Sequence, residues 1–183
     1  MPNNNESQTM KKYLLSIILA FTTLLCFAQT EQKATVWGVK SDGVTDNTGS
    51  IQRAIDYISA HGGGTLYFYV GRYLTGSIEL KSNVTIHLAE AAVLVGSTNI
   101  YDYKGAPALI WADGAENVAV TGKGVIEARG VALKACLEAQ QAKGYLPADT
   151  PLPTVYSFKN CTNAVMGSEI KKLSDTARST RYN

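Results

Sequence analysis

Cysteine is scarce in this chain of 183 residues: Cys26, Cys136 and Cys161 are too few and too scattered for a disulfide scaffold or the clustered ligands of a zinc site. Only 5 Pro accompany 16 Gly with no collagen-like period, and nothing sustains a heptad, so collagen and coiled coil are excluded. Charge of one sign is also lacking. Seventeen Lys+Arg against 15 Asp+Glu leave +2, too weak a field to drive nucleic-acid binding and uninformative about an acidic substrate. Long apolar runs are missing as well: the run from Tyr13 to Ala28 stops short of the ~20 residues a membrane span requires. What is present is 45% hydrophobic residues with 17% charged, enough apolar surface to bury the core of one domain and too much for a disordered chain.

The apolar run has a different use. Lys11 and Lys12 precede it and the small Ala28 ends it before Gln29, the layout of a secretory signal peptide over residues 1–28. Export to the periplasm or beyond, with cleavage after Ala28, is the expectation, and Met10 is a second candidate start. Leu25 is too large for the position before a lipidated Cys26, so no stable membrane anchor is expected. The mature chain, residues 29–183, keeps Cys136 and Cys161, which could form one disulfide; two buried thiols are the simpler reading.

Thr35-Val36-Trp37-Gly38-Val39 reads as a short strand, followed by a turn at Ser41-Asp42-Gly43. A helix comes next, because Ile51, Ala54, Ile55 and Ile58 recur at i, i+3, i+4 and i+7. Asn47 or Thr48 caps its start and Gly62 stops it. Gly62-Gly63-Gly64 is a turn and not a phosphate loop, since no Lys-Ser/Thr follows and a strand comes next. From Thr65 onward short β-rich pieces succeed one another at 65–70, 77–80, 83–88, 93–95, 108–111, 117–120 and 124–127, each bounded by Gly, Ser, Asn or Asp. Val84, Ile86 and Leu88 alternate with Thr85 and His87, so one face is apolar. Residues 131–153 interrupt this series: Leu133, Cys136, Leu137 and Gln140 have helical spacing, then Pro147, Pro151 and Pro153 mark an extended connection. A strand at 154–158 and another at 169–172 follow, then a polar tail, 174–183.

Asn83-Val84-Thr85-Ile86, Asn117-Val118-Ala119-Val120 and Asn163-Ala164-Val165-Met166 repeat an Asn followed by alternating apolar positions. Repeated short strands without Asn-Gly hairpins fit a parallel solenoid, in which each coil buries its face on its neighbours. A β-sandwich is the alternative. Such a solenoid leaves an open end that something must cover, and the helix at 48–60 stands in the right place.

Residues 36–130 resemble the N-terminal part of polygalacturonase-like enzymes, glycoside hydrolase family 28 among the pectin-degrading right-handed β-helix proteins. The motifs that carry this are Trp37-Gly38-Val39-Lys40-Ser41-Asp42-Gly43-Val44-Thr45-Asp46-Asn47-Thr48, Ile51-Gln52-Arg53-Ala54-Ile55, Gly62-Gly63-Gly64-Thr65-Leu66-Tyr67 and Gly71-Arg72-Tyr73-Leu74-Thr75-Gly76. Leu80-Lys81-Ser82-Asn83-Val84-Thr85-Ile86-His87-Leu88, Ala92-Val93-Leu94-Val95-Gly96-Ser97 and Val120-Thr121-Gly122-Lys123-Gly124-Val125-Ile126 complete them. The resemblance implies an all-β, right-handed parallel β-helix with an N-terminal capping α-helix, here cut short at its C-terminal end, and a hydrolase of galacturonan-type polysaccharide that needs no cofactor. Two positions depart from the family pattern. A Pro usually precedes the glycine that is Gly71 here, and Asp-Gly usually stands where this chain has Glu127-Ala128; the second change should alter a turn, since Ala adopts positive φ less readily than Gly.

The family's catalytic motifs, Asn-x-Asp, Asp-Asp, His-Gly and Arg-x-Lys on later coils, have no counterpart, for His61-Gly62 merely closes the helix. No catalytic and no metal-binding residue is therefore assigned. Asp42 and Asp46 lack the fuller acidic pattern of a calcium loop and suit a turn and a helix start. Asp102, Asp113, Glu116 and Glu127 find no partner by spacing, and His87 falls on a polar, solvated face. Tyr67, Tyr69, Tyr101 and Tyr103 could stack on sugars, but core or coil-end packing is the default. The expectation is the inactive N-terminal piece of a secreted glycosidase, able to self-associate through its unfinished end. A calcium-assisted pectate lyase of the same fold and a non-catalytic glycan-binding β-helix are the alternatives.

Overall fold

The computed structural model describes residues 30–173, so the expected leader at 1–28 and the tail at 174–183 lie outside the described residues. Each coil of the chain contributes one strand to each of three sheets. The first is β2 (Gly64–Phe68), β3 (Gly71–Thr75) and β4 (Ile78–Glu79). The second is β5 (Val84–Leu88), β6 (Ala92–Gly96) and β7 (Ala108–Asp113), and the third is β8 (Ala119–Gly122), β9 (Val125–Glu127) and β10 (Thr154–Lys159). β11 (Val165–Met166) and β12 (Lys171–Leu173) start a fourth, and β1 (Thr30–Lys33) precedes the first. The sheets run β1-β2-β5-β8-β11, β3-β6-β9-β12 and β4-β7-β10, and every strand pair is parallel. This is the right-handed parallel β-helix of its structural neighbours, and a β-sandwich, built on antiparallel pairs, is excluded.

Alternation along each strand sends one set of side chains inward, and parallel in-register pairing stacks them coil on coil. Leu66 lies on Ile86 and Ile86 on Val120; Tyr73 on Leu94 and Leu94 on Ile126; Ile78 on Ile110 and Ile110 on Tyr156. All nine are buried. Removing a side chain of this size from water stabilises by about 1.5–3 kcal/mol, so these rows are the main driving force for stacking.

The sequence repeat becomes a ladder. Asn83, Asn117 and Asn163 all take positive φ, of 64°, 53° and 54°. The Nδ2 of Asn117 donates to Oδ1 of Asn83 at 2.9 Å, and the Nδ2 of Asn163 to Oδ1 of Asn117 at 3.0 Å. Asn suits this corner because it tolerates the left-handed region and offers one donor and one acceptor along the stacking axis. At another corner the approach is closer still. Gly122 has φ 103°, and a Cβ there would stand 2.0 Å from the Leu88 carbonyl oxygen, so only glycine fits.

The helix α1 (Thr48–Ala60) buries Ile51, Ala54, Ile55 and Ile58, the stripe anticipated from the sequence. Asn47 does precede it, but its buried side chain clasps the backbone of Lys40, Thr45 and Leu74 and makes no cap hydrogen bond; Asp46 Oδ1 instead accepts from Thr48 N. Residues 35–39 are not a strand. Ala34–Trp37 form a 3-10 turn closed by Gly38 at φ 79°, because β1 must hand the chain over to the cap, and Val36 stays exposed. β1 and β3 are strands that the sequence pattern does not announce, and the last strand sits at Lys171–Leu173 rather than at 169–172. The insertion does contain a helix, α2 (Gly130–Ala142), with Leu133 and Leu137 buried. At the departure Glu127-Ala128, the positive φ falls on Arg129 (54°), so Ala128 is relieved of the conformation it would resist.

Asn117→Ala should destabilise the chain by about 2 kcal/mol in urea unfolding, through the loss of two ladder hydrogen bonds and added left-handed strain. Asn117→Gly, which keeps the φ but not the bonds, should cost about half as much. Equal losses in the two variants would show that the ladder bonds alone set the corner.

Candidate functional site

Most of the candidate carboxylates are held by hydrogen bonds from turn, helix-start or loop groups. Asp42 closes a turn: its Oδ1 accepts from Val44 N at 2.9 Å and Thr45 N at 2.8 Å, and its Oδ2 from the Thr45 hydroxyl at 2.7 Å. Asp46 starts α1 and also accepts from the Thr48 hydroxyl. Asp102 accepts from Ser97 Oγ and Asn99 Nδ2, and Asp113 from Asn160 Nδ2 at 2.8 Å. Glu116 pairs through its backbone with Thr162. Among the described residues no hydrogen bond links two of these carboxyl groups, and no three His, Cys, Asp or Glu side chains gather to hold a metal ion.

Glu127 is paired with a cation. Its Oε2 meets Arg72 Nη2 at 2.8 Å, on the outer face of β3-β6-β9-β12. Arg72 lies on β3 and Glu127 on β9, so the pair bridges across the intervening β6. Both ends are partly solvated, which limits its worth to about 1 kcal/mol or less.

A second row runs along the outer face of the Asn-proximal sheet. In register, Lys33 neighbours Tyr67, Tyr67 neighbours His87, and His87 neighbours Thr121. The Tyr67 and His87 rings stack with centroids 4.5 Å apart, and His87 Nδ1 lies 3.0 Å from Thr121 Oγ1. His87 is thus half-buried in a packed row, not the freely solvated side chain expected from alternation alone. Tyr69, more exposed, packs against Tyr67 at 4.5 Å and carries the Lys33 ammonium 5.5 Å from its ring. Tyr103 is buried and donates to the Ser97 carbonyl at 3.1 Å; burial, aided by the Asp102 charge, pushes its phenol far above the ordinary range. Tyr101 is exposed and donates to Gln140 Oε1 of α2 at 3.3 Å. His61 closes α1, its Nδ1 2.8 Å from the Tyr57 carbonyl oxygen. Cys136 and Cys161 are free, half-buried thiols packed against the core.

The Arg72–Glu127 bridge and the Lys33–Tyr69 contact escape a reading by spacing, because their partners are 55 and 36 positions apart. A register that places Arg72 and Glu127 two coils apart is the signal that would have found the first.

No family model matches the chain. Its relatives and structural neighbours are nonetheless polygalacturonases and exopolygalacturonases of glycoside hydrolase family 28, with related parallel β-helix proteins. It is 42% identical over 72 residues to the exo-poly-α-D-galacturonosidase of Dickeya chrysanthemi, a match covering 39% of this chain and 12% of that one. It is 34% identical over 114 residues to plasmin and fibronectin-binding protein A of Streptococcus pneumoniae, covering 61% of this chain and 15% of that one. A candidate glycosyl hydrolase from Parabacteroides merdae superposes with a TM-score of 0.75 at 46% identity, covering 78% of this chain and 64% of the other. The chain therefore spans about an eighth of the galacturonosidase and under two thirds of the Parabacteroides protein.

The turn at Asp42 gives a titration prediction. The Thr45 hydroxyl first, then the Thr45 and Val44 amides, hold its carboxyl at about 2 against an ordinary 3.8. The folded value lies below the unfolded one, so the turn's contribution is complete above about pH 4 and is lost as pH falls toward 2. Carboxyl NMR should show Asp42 titrating near 2, and Thr45→Ala should bring it back toward 3.8. An unchanged Asp42 titration in Thr45→Ala would refute the hydrogen-bond origin.

Proposed function

We propose that this chain supplies the N-terminal coils of a secreted polygalacturonase-type glycosidase acting on galacturonan-type polysaccharide, and that the described coils are scaffold and substrate surface, not the reacting centre. The similarity to an exo-poly-α-D-galacturonosidase carries the reading, joined to a β-helix whose coils stack in three parallel sheets behind the cap helix α1. The chemistry supports the second part. Inverting hydrolysis of a glycosidic bond needs one carboxylic acid to protonate the leaving oxygen and one carboxylate to activate water, about 6.5–9.5 Å apart. The described carboxylates instead serve turns, a helix start, a loop brace and an ion pair. Export rests on Lys11, Lys12 and the apolar run to Ala28; N-terminal sequencing of the exported protein should begin at Gln29.

A second reading, glycan or host-surface binding without hydrolysis, is favoured by the similarity to plasmin and fibronectin-binding protein A, which covers 61% of this chain. Incubating the chain with polygalacturonate and counting new reducing ends tests the scaffold assignment. The expected result is no release above buffer. Turnover at ordinary enzymatic rates, about 1–10³ s⁻¹, would place a working catalytic pair within this chain. Ultraviolet-absorbing unsaturated products would identify a lyase instead.

A further inference from the structure

We draw no further inference here: the strongest candidate, the cleft of about 810 Å³ between α1 and the loop at 97–107, sets four carboxylates (Asp46, Asp56, Glu79 and Asp102) against two cations (Arg53 and Lys104), a mixed lining that selects no class of ligand, and nothing in the structure singles out an occupant.

Discussion

A stack of parallel coils always has a first coil, and that coil exposes a row of backbone N–H and C=O groups on the side where no strand precedes it. Left bare, such an edge would recruit other chains and leave the apolar interior open. Here the N-terminal segment answers each side of the first coil in turn. β1 pairs with β2 as an ordinary strand. At β3 the backbone of Ser41 and Gly43 exchanges hydrogen bonds with Arg72. At β4 no strand is available, and helix side chains take its place: Gln52 Oε1 accepts from Glu79 N at 2.9 Å while its Nε2 donates to Glu79 O at 3.0 Å. One amide side chain thus copies the donor and acceptor of a missing strand residue. Thr48 Oγ1 likewise accepts from Gly76 N, and Ser59 donates to Ser82 O.

This economy explains which parts of the fold were legible in advance. The Ile51–Ile58 stripe and the Asn repeat are periodic signals with a direct physical cause, burial in one case and a stacked corner in the other. β3 leaves no periodic signal because Gly71-Arg72-Tyr73-Leu74-Thr75 carries only one large inward side chain between flanking turns, Tyr73. The 35–39 error has the opposite origin. Val36, Trp37 and Val39 are strand-forming residues, but they sit where β1 must climb to the cap, and Gly38 at φ 79° turns the chain there.

Side-chain chemistry was less legible than the fold, for a reason of distance along the chain. In a β-helix the neighbours of a residue on the outer face are a whole coil away, so Arg72 finds Glu127, and Trp111 shares a cleft with Arg53, with no local pattern to announce it. Local reading did succeed where the partner is local. Asp42 binds Val44 and Thr45, and Asp46 binds Thr48, the turn and helix-start roles that their positions suggested.

The corners of the coil differ in how much variation they admit. The corner from β4-β7-β10 to β2-β5-β8 is fixed by the Asn ladder, and an insertion there would break a hydrogen bond on each side. The corner from β2-β5-β8 to β3-β6-β9 is closed by Gly122 against the Leu88 carbonyl, with no room even for a methyl group. Only the corner leading into β4-β7-β10 is free to grow, and it does so coil by coil, from 76–77 to 97–107 to 128–153. Its two long loops are tied together by Tyr101 and Gln140. The 46-residue separation of Asn117 from Asn163, against 34 for the preceding pair, is the imprint of that growth on the sequence. Variation is thereby confined to one side of the solenoid, where the loop bearing Tyr101 and Lys104 faces the cap helix bearing Arg53. The same constraint that makes the other corners rigid is what sets this loop against the cap helix.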